Sequence, residues 1–309
     1  MPVMLPFDLQ QVICEYAMDV ASNDKFIFRA MCVCKLWAHF VCSKFYRDYE
    51  IKNYLGFVGF VRTIASRDTL LPYGEYIRNV DLSPVNRYGI DMRVHKMIRY
   101  CPNLVSLTLG HPSSVKPDTI RLMSKYCKNL RILHMGGLES FPFMLECDFG
   151  GLDSLTHVEI QMTPIDGQSL NTLPRTLMDV RLVKLDSLDH QSLVEFTTHR
   201  RRSLQTLVID RCTLGSRSQQ ADIAQVVRPL AQLKRLELSG AQVDDRCLED
   251  LFDIPLELDS FRLTHTHITD STLYRFAAGR LKCRHLTIEH NPFVSEQAIT
   301  SLPHYRRPQ

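Results

Sequence analysis

Long apolar runs, excess charge and catalytic motifs are all scarce in this 309-residue chain. No apolar run approaches the roughly 18 residues that a membrane span needs. The opening residues, Met1-Pro2-Val3-Met4-Leu5-Pro6-Phe7-Asp8, lack the charged segment and apolar stretch of a secretory signal. The net charge is only +3, too weak a basic balance to point to nucleic acid. There is no G-x-S-x-G, no P-loop and no H-E-x-x-H, so no motif calls for an intrinsic enzyme, a cofactor or a catalytic residue. The expectation is a non-catalytic protein that engages neither membrane nor nucleic acid.

What is abundant is apolar content. Hydrophobic residues make up 45% and charged residues 23%, enough for a large core and too much for a disordered chain. The length suits about two domains. The ten cysteines are scattered, several where a small buried hydrophobe would fit. Without a secretory signal they should stay reduced, which implies cytoplasm or nucleus.

One pattern recurs along the chain, Leu-x-x-Leu-x-Leu. It is plainest at Leu104-Val105-Ser106-Leu107-Thr108-Leu109. It returns from Leu130, Leu155, Leu177, Leu204, Leu233 and Leu258, with weaker copies from Ile77 and Cys283. The steps between starts are 27, 26, 25, 22, 27, 29, 25 and 25 residues. All fall in the range of a leucine-rich repeat. The fold class expected is therefore α/β, a horseshoe-like solenoid of about nine strand–helix repeats over residues 77–309. In each strand alternate residues face opposite sides, so Leu107 and Leu109 point inward while Ser106 and Thr108 point outward. Helices over Thr119–Tyr126, Gln191–Thr198, Gln220–Val227, Asp245–Phe252 and Asp270–Ala278 would cover the apolar side. Signals such as Ile268-Thr269-Asp270 and Val294-Ser295-Glu296 offer a polar cap at the helix start.

The junctions Tyr100-Cys101-Pro102-Asn103-Leu104 and Tyr126-Cys127-Lys128-Asn129-Leu130 resemble those of cysteine-containing leucine-rich repeats. Cys212, three residues after Ile209, matches the other cysteine position of that subtype, and Asn291 its asparagine variant. The subtype is most familiar from F-box/leucine-rich-repeat proteins.

Residues 1–50 lack the repeat. Leu5, Leu9, Val12, Ile13 and Tyr16 recur at helical spacing after Leu5-Pro6. The polar break Ser22-Asn23-Asp24 then caps a second helix carrying Phe28, Met31, Val33, Cys34 and Trp37. Leu5-Pro6, Val12-Ile13, Tyr16, Phe28 and Val33-Cys34-Lys35-x-Trp37 together resemble an F-box. The resemblance implies a three-helix module that binds a Skp-type adaptor, and through it a cullin, by Leu5, Pro6, Leu9, Val12, Ile13, Phe28, Val33, Cys34 and Trp37. A unit of this size can hardly bury its own core, so sharing apolar surface with a partner suits its composition. A purely structural role stays open, since a solenoid's first strand is an exposed edge that a helical cap would cover. Residues 51–76, with Phe57, Val58, Phe60, Val61, Ile64 and Ala65, read as an amphipathic linking and capping helix.

Other chemistry is weaker. Cys32-x-Cys34 falls on the expected second helix, where residues two apart diverge by about 200°. Arg200-Arg201-Arg202 sits at a helix C-terminus and reads as a solvated, dipole-favoured end. His265 and His290 lie at equivalent repeat positions and should be neighbours about 4.8 Å apart. With His267 they could hold zinc, although solvated loop histidines explain them as well and no metal is expected.

The outward strand positions offer the recognition surface. His134, Glu159, Arg181, Glu237 and Arg262 occupy one row with Asp81, Thr108, Val208 and Thr287. His157, Arg235 and His285 occupy the row beside it with Asp179. Structure does not require charge or imidazole there. These eight residues are the candidates for gripping a target protein across a concave face, with arginines and carboxylates mixed in one protein-shaped epitope. The resemblance implies that the target is held for ubiquitination. The alternative is an interaction scaffold outside ubiquitin chemistry.

Overall fold

The computed structural model describes residues 5–20, 24–85, 87, 89–111, 114–137, 144–186, 188–214, 222–300 and 302. Among them no helix is long and apolar enough to cross a membrane.

Three helices come first: α1 (Phe7–Val20), α2 (Asp24–Met31) and α3 (Lys35–Phe45). Pro6 stands just ahead of α1, where its missing amide costs nothing, and its carbonyl accepts the Gln10 amide at 3.1 Å. The second helix expected from sequence is broken. It stops at Met31, and Cys34 in an extended conformation caps α3 by accepting the Trp37 amide at 3.5 Å. Cys32 and Cys34 thus lie in the turn between two helices and not on one helix. Ser22 and Asn23 of the expected polar break lie outside the described residues. Cys14, Ala30, Ala38, Phe40, Val41 and Cys42 form the module's small buried interior.

Next comes α4 (Tyr54–Ile64), capped by the Asn53 carboxamide, which accepts the Gly56 amide at 2.9 Å. It buries Phe57, Phe60, Val61 and Ile64 and packs on α6 (Asp91–Tyr100). The short α5 (Tyr73–Tyr76) leads into the first strand.

The remainder is one parallel sheet of nine strands in sequential order. The strands are β1 (Asn79–Asp81), β2 (Ser106–Leu109), β3 (Ile132–Gly136), β4 (His157–Gln161) and β5 (Asp179–Val183). They continue as β6 (Thr206–Asp210), β7 (Arg235–Ser239), β8 (Glu257–Thr264) and β9 (Lys282–Glu289). The repeat's inward residues stack in register: Val80, Leu107, Leu133, Val158, Val180, Leu207, Leu236, Phe261 and Leu286. All are buried, each contributing about 1.5–3 kcal/mol as apolar surface leaves water. Sequential parallel strands, each a repeat apart, make this a leucine-rich-repeat solenoid.

Helices cross back behind the sheet: α7 (Pro117–Tyr126), α8 (Gly167–Thr172), α9 (His190–His199), α10 (Ile223–Val227), α11 (Asp270–Ala278) and α12 (Glu296–Thr300). Asp166, Asp189, Asp222 and Thr269 cap four of them through their side-chain oxygens. The helix expected over Asp245–Phe252 is absent, replaced by turns and a single 3-10 turn, Leu251–Asp253. The Asp244 carboxylate accepts the Arg246 and Cys247 amides as a helix cap would, but the turn it starts is not continued. Glu249, Asp250 and Asp253 would crowd negative charge at a helix C-terminus. The regular strand–helix unit is thus a tendency of the repeats and not a rule.

The strand ends share a second regularity. Met162, Lys184, Arg211, His265 and His290 all have φ between 50° and 56°, and Gly240, in the same column, has 115°. Each residue directly follows a strand of the register. A left-handed residue turns the chain out of the sheet in each of these repeats, a conformation that non-glycine residues adopt at a cost. Just beyond, the Cys212 thiol donates to the Leu182 carbonyl of the preceding repeat at 3.2 Å. At the same repeat position the Asn291 carboxamide donates to the Leu263 carbonyl at 3.0 Å and accepts from the Thr266 amide at 2.7 Å. In these two repeats cysteine and asparagine serve alike, each bringing a donor to a carbonyl of the preceding repeat.

The Arg200-Arg201-Arg202 run does not behave as one solvated end. Arg201 and Arg202 are exposed, but Arg200 is 1% exposed. Its guanidinium stacks 4.0 Å from the Phe196 ring and donates to the carbonyls of Pro174, Phe196, Asn171 and Leu173.

Candidate functional site

Two surfaces emerge from this framework. The first is the outer side of the three N-terminal helices. On α1 a stripe spaced three and four residues apart runs along one flank: Leu9, Val12, Ile13, Tyr16 and Val20. These side chains are exposed, as are Leu5, Pro6 and Phe7 ahead of them. Phe28 of α2 is 66% exposed and Val33 in the following turn 61%. Nine of the 17 large hydrophobic side chains exposed among the described residues fall between Leu5 and Val33. The other eight are scattered from Leu55 to Phe293, so the concentration is local. Apolar surface gathered this densely on a small unit makes this flank a candidate interaction site.

Not every residue expected there faces out. The Trp37 indole is half-buried and donates to the Gln10 side-chain oxygen at 3.1 Å, which ties α3 to α1. Cys34 is exposed but acts as the α3 cap. Both hold the module's shape. Conversely Phe7 and Val20 are fully part of the exposed patch and were not among the expected residues. The helical spacing that selects Leu9, Ile13 and Tyr16 leads directly to Val20, and Phe7 sits one residue past Pro6.

The same module touches the solenoid on its other side. The Arg47 carbonyl accepts the Arg78 and Asn79 amides, both at 3.0 Å. This repeats the pattern of the following strands, in which Arg78 serves Val105 and Ser106, and Val105 serves Arg131 and Ile132. His39 Nδ1 also bonds the Tyr76 hydroxyl at 2.8 Å. The chain just after α3 therefore stands where a preceding repeat would be.

The second surface is the sheet face opposite the helices. Strand register places His134, Glu159 and Arg181 on adjacent strands of one row. His157 and Asp179 stand side by side in the neighbouring row. Together these side chains line a hollow of about 280 Å³ over Ile132 and Val158. An adjoining hollow of about 390 Å³ shares His134 and Glu159 and extends to Ser83, Thr108 and Gln161. Arg235, Glu237, Arg262 and His285 form a separate group on β7 to β9. Val208 of β6, buried despite its outward position, lies between the two groups.

The charges are largely settled within the chain. Arg181 pairs with Asp179 two residues away at 3.2 Å. Arg235 turns to Glu237 on its own strand, Nε to Oε1 at 2.7 Å. The sequence places Arg181, Arg235 and Arg262 among carboxylates on the same face. Of the three, Arg262 alone has no ion pair among the described residues, and its Nε is buried without a hydrogen-bond partner.

His265 and His290 are neighbours as their repeat positions foretell, with ring centroids 4.7 Å apart and planes within 9°. That stacking removes them as joint zinc ligands. A ligating imidazole holds the ion in its own plane, and two parallel planes this far apart share no such point. His267 packs instead against the Phe293 ring at 5.3 Å. Among the described residues no group of three or more His, Cys, Asp or Glu side chains could hold a metal.

No family model and no curated protein matches this chain. Solved structures do. The chain is similar to a chain of the crystal structure of the yeast Rad7 and Elc1 complex, at 14% identity and a TM-score of 0.50, over 97% of this chain and 86% of that one. It is also similar to the internalin InlF of Listeria monocytogenes, at 13% identity and a TM-score of 0.32, over 80% of this chain and 92% of that one. The functional domain of InlJ from the same organism, which includes a cysteine ladder, matches at 15% identity and a TM-score of 0.35, over 69% and 45% of the two chains. Such identities speak to fold alone. Of these matches only the first carries weight, and its coverage is too high to omit the N-terminal helices.

Proposed function

We propose that this chain is a non-catalytic recruitment subunit of an SCF-type ubiquitin ligase. The N-terminal helices dock on a Skp-type adaptor, and through it on a cullin, by Leu5, Pro6, Leu9, Val12, Ile13, Phe28 and Val33. The solenoid's sheet face holds a target protein. The work done is proximity: tethering raises the effective concentration of target lysines near the conjugating enzyme, and no residue of this chain enters the chemistry.

The observation that carries the reading is the crowding of exposed apolar side chains onto a module with a small interior of its own. A partner that covers them recovers about 25 cal/mol for each Å² of apolar surface removed from water. The non-catalytic part is supported by the cysteines. Burial pushes the thiols of Cys127, Cys147 and Cys247 up to about 12 and those of Cys212 and Cys283 to about 11, whereas a nucleophilic thiol needs the opposite shift. Fold likeness to a chain solved within a two-protein complex agrees with a binding role.

A capping role for the same helices is compatible with docking and does not compete with it. Capping uses the Arg47 carbonyl and the α3 side of the module, while the α1 flank and Phe28 stay free. A scaffold without ubiquitin chemistry would keep target capture and lack the adaptor.

Co-purification tests the reading. The intact chain should retain a Skp-type adaptor, and Val12→Asp and Phe28→Asp should each lose it at least tenfold while melting like the parent, because both side chains are exposed. An intact, folded chain that leaves the adaptor behind refutes the proposal.

A further inference from the structure

A hollow of about 860 Å³ opens where the N-terminal helices meet the first repeats. Lys44, Arg47, Arg78 and Arg131 line it, against one lining carboxylate, Glu15. Its walls thus carry as large a positive excess as the whole chain, whose net charge is +3.

The arginines are arranged and not merely crowded. Arg47, Arg78, Val105 and Arg131 form one row, each carbonyl of the first three accepting the amides of the next strand. At about 4.8 Å per strand, Arg78 stands about 5 Å from Arg47 along the row and about 10 Å from Arg131. Like charges on neighbouring strands repel, and among the described residues no carboxylate pairs with these three arginines. Among the described residues Arg78 donates to the backbone carbonyls of Glu75 and Ile77. Arg47 and Arg131 have no ion pair among the described residues, whereas Lys44 is paired with Asp19 and Glu15 accepts from Gln11. Elsewhere Arg181, Arg211, Arg235, Arg275 and Arg284 have carboxylate partners, while Arg262 has none among the described residues; what sets this hollow apart is three unpaired arginines in one row.

A concave wall of one charge focuses the field and concentrates counter-ions. Guanidinium forks match phosphate oxygens in pairs. Three forks in a row suit several phosphoryl groups on one small molecule, and the volume lies in the range of small-ligand sites. We propose that this hollow is a binding site for a free, polyphosphorylated small molecule, held by Arg47, Arg78 and Arg131. The site uses none of the exposed apolar residues of the docking flank and stands independently of adaptor binding.

Inorganic tripolyphosphate is the probe, titrated calorimetrically into the full chain at low ionic strength, with citrate as a polycarboxylate comparator. Saturable one-to-one binding is expected, tighter than citrate. Arg47→Ala and Arg131→Ala should each weaken it roughly ten- to a hundredfold, the worth of a charge-assisted bond. Both side chains are exposed, so the melting temperature should not move. Arg201→Ala and Arg202→Ala, exposed cations elsewhere, should leave the affinity unchanged. Absence of saturable binding overturns the proposal, as does equal weakening by the Arg201 and Arg202 variants or citrate binding as tight as tripolyphosphate. Vesicles bearing phosphomonoester headgroups form the last arm. Arginine-dependent binding to them without binding of free tripolyphosphate overturns the free-ligand assignment.

Discussion

Replacing Arg200 by methionine should destabilise the solenoid more than any change at its two neighbours in the run. The residue is 1% exposed, yet among the described residues no carboxylate pairs with it. Its guanidinium instead donates to the carbonyls of Pro174 at 3.2 Å, Phe196 at 3.0 Å, Asn171 at 3.3 Å and Leu173. Those acceptors come from α8, the turn after it and α9, so one side chain stitches two repeats together. Burial, with Arg175 nearby, lowers its pKa to about 10, which still leaves it charged at neutral pH.

The magnitude follows from what remains after the change. A buried ion pair can often be exchanged for apolar residues at little cost, because both partners are removed. Here the partners are backbone carbonyls and stay. Pro174 keeps a bond from the Leu177 amide at 3.4 Å, but the others lose their side-chain donor. An orphaned buried acceptor costs about 1–3 kcal/mol, and these share one site, so the sum is not additive. The expected loss is about 3–5 kcal/mol, or roughly 10 °C in melting temperature for a chain of this size. Urea denaturation followed by circular dichroism reads it directly. Arg200→Lys should fall between, since an ammonium cannot reach all four acceptors from one position. Arg201→Ala, exposed, should stay within about 0.5 kcal/mol of the parent. An Arg200→Met variant as stable as the Arg201→Ala variant would refute the reasoning.

Two further outcomes follow from individual side chains. Asn291→Ala removes the bonds to the Thr266 amide, the Thr266 hydroxyl and the Leu263 carbonyl, and should cost about 1–3 kcal/mol in urea denaturation; a change under about 0.5 kcal/mol would show that the strand-end ladder is incidental. Native-state thiol labelling followed by mass spectrometry should modify the exposed Cys32 and Cys34 first and leave Cys101, Cys127 and Cys212, whose thiols burial pushes up, to unfolding; labelling of Cys101 as fast as Cys32 would contradict the packing.

Much of the solenoid is written in the sequence because its physics is local and periodic. An inward residue such as Leu107 must be apolar in every repeat, so nine strands and their register follow from the spacing alone. The Asp270–Ala278 helix is legible for a similar reason, with Thr269 capping it and apolar residues at helical intervals. The Asp245–Phe252 segment has the same apolar spacing and does not form a helix. There a carboxylate cap is also in place, since Asp244 accepts the amides two and three residues on, but Glu249, Asp250 and Asp253 would gather like charge at the helix C-terminus. Arg200 is misread for a different reason. A cation after a helix reads as solvated, and only the neighbouring repeat supplies the carbonyls that draw it inward.

The binding surfaces divide along the same line. The apolar flank of α1 is legible, since exposed hydrophobes at helical spacing look like a buried stripe whose cover is missing. The sheet face is only half legible. Position selects Arg181, Arg235 and Arg262 alike, but the carboxylate two residues away decides each case: Asp179 precedes Arg181 on its strand, and Glu237 follows Arg235. Arg262 has Ser260 before it and Thr264 after it on its strand, and Glu237, its register neighbour on β7, is taken by Arg235. The lack of a carboxylate two residues away is legible in sequence, whereas the choice of Glu237 between two arginines is not. The junction hollow is not legible either. Arg78 and Arg131 share one repeat position, but Arg47 belongs to the helical module, and no periodicity relates it to them. They meet because the chain after α3 takes the place of a repeat, which puts Arg47 into the row that Arg78 and Arg131 already occupy.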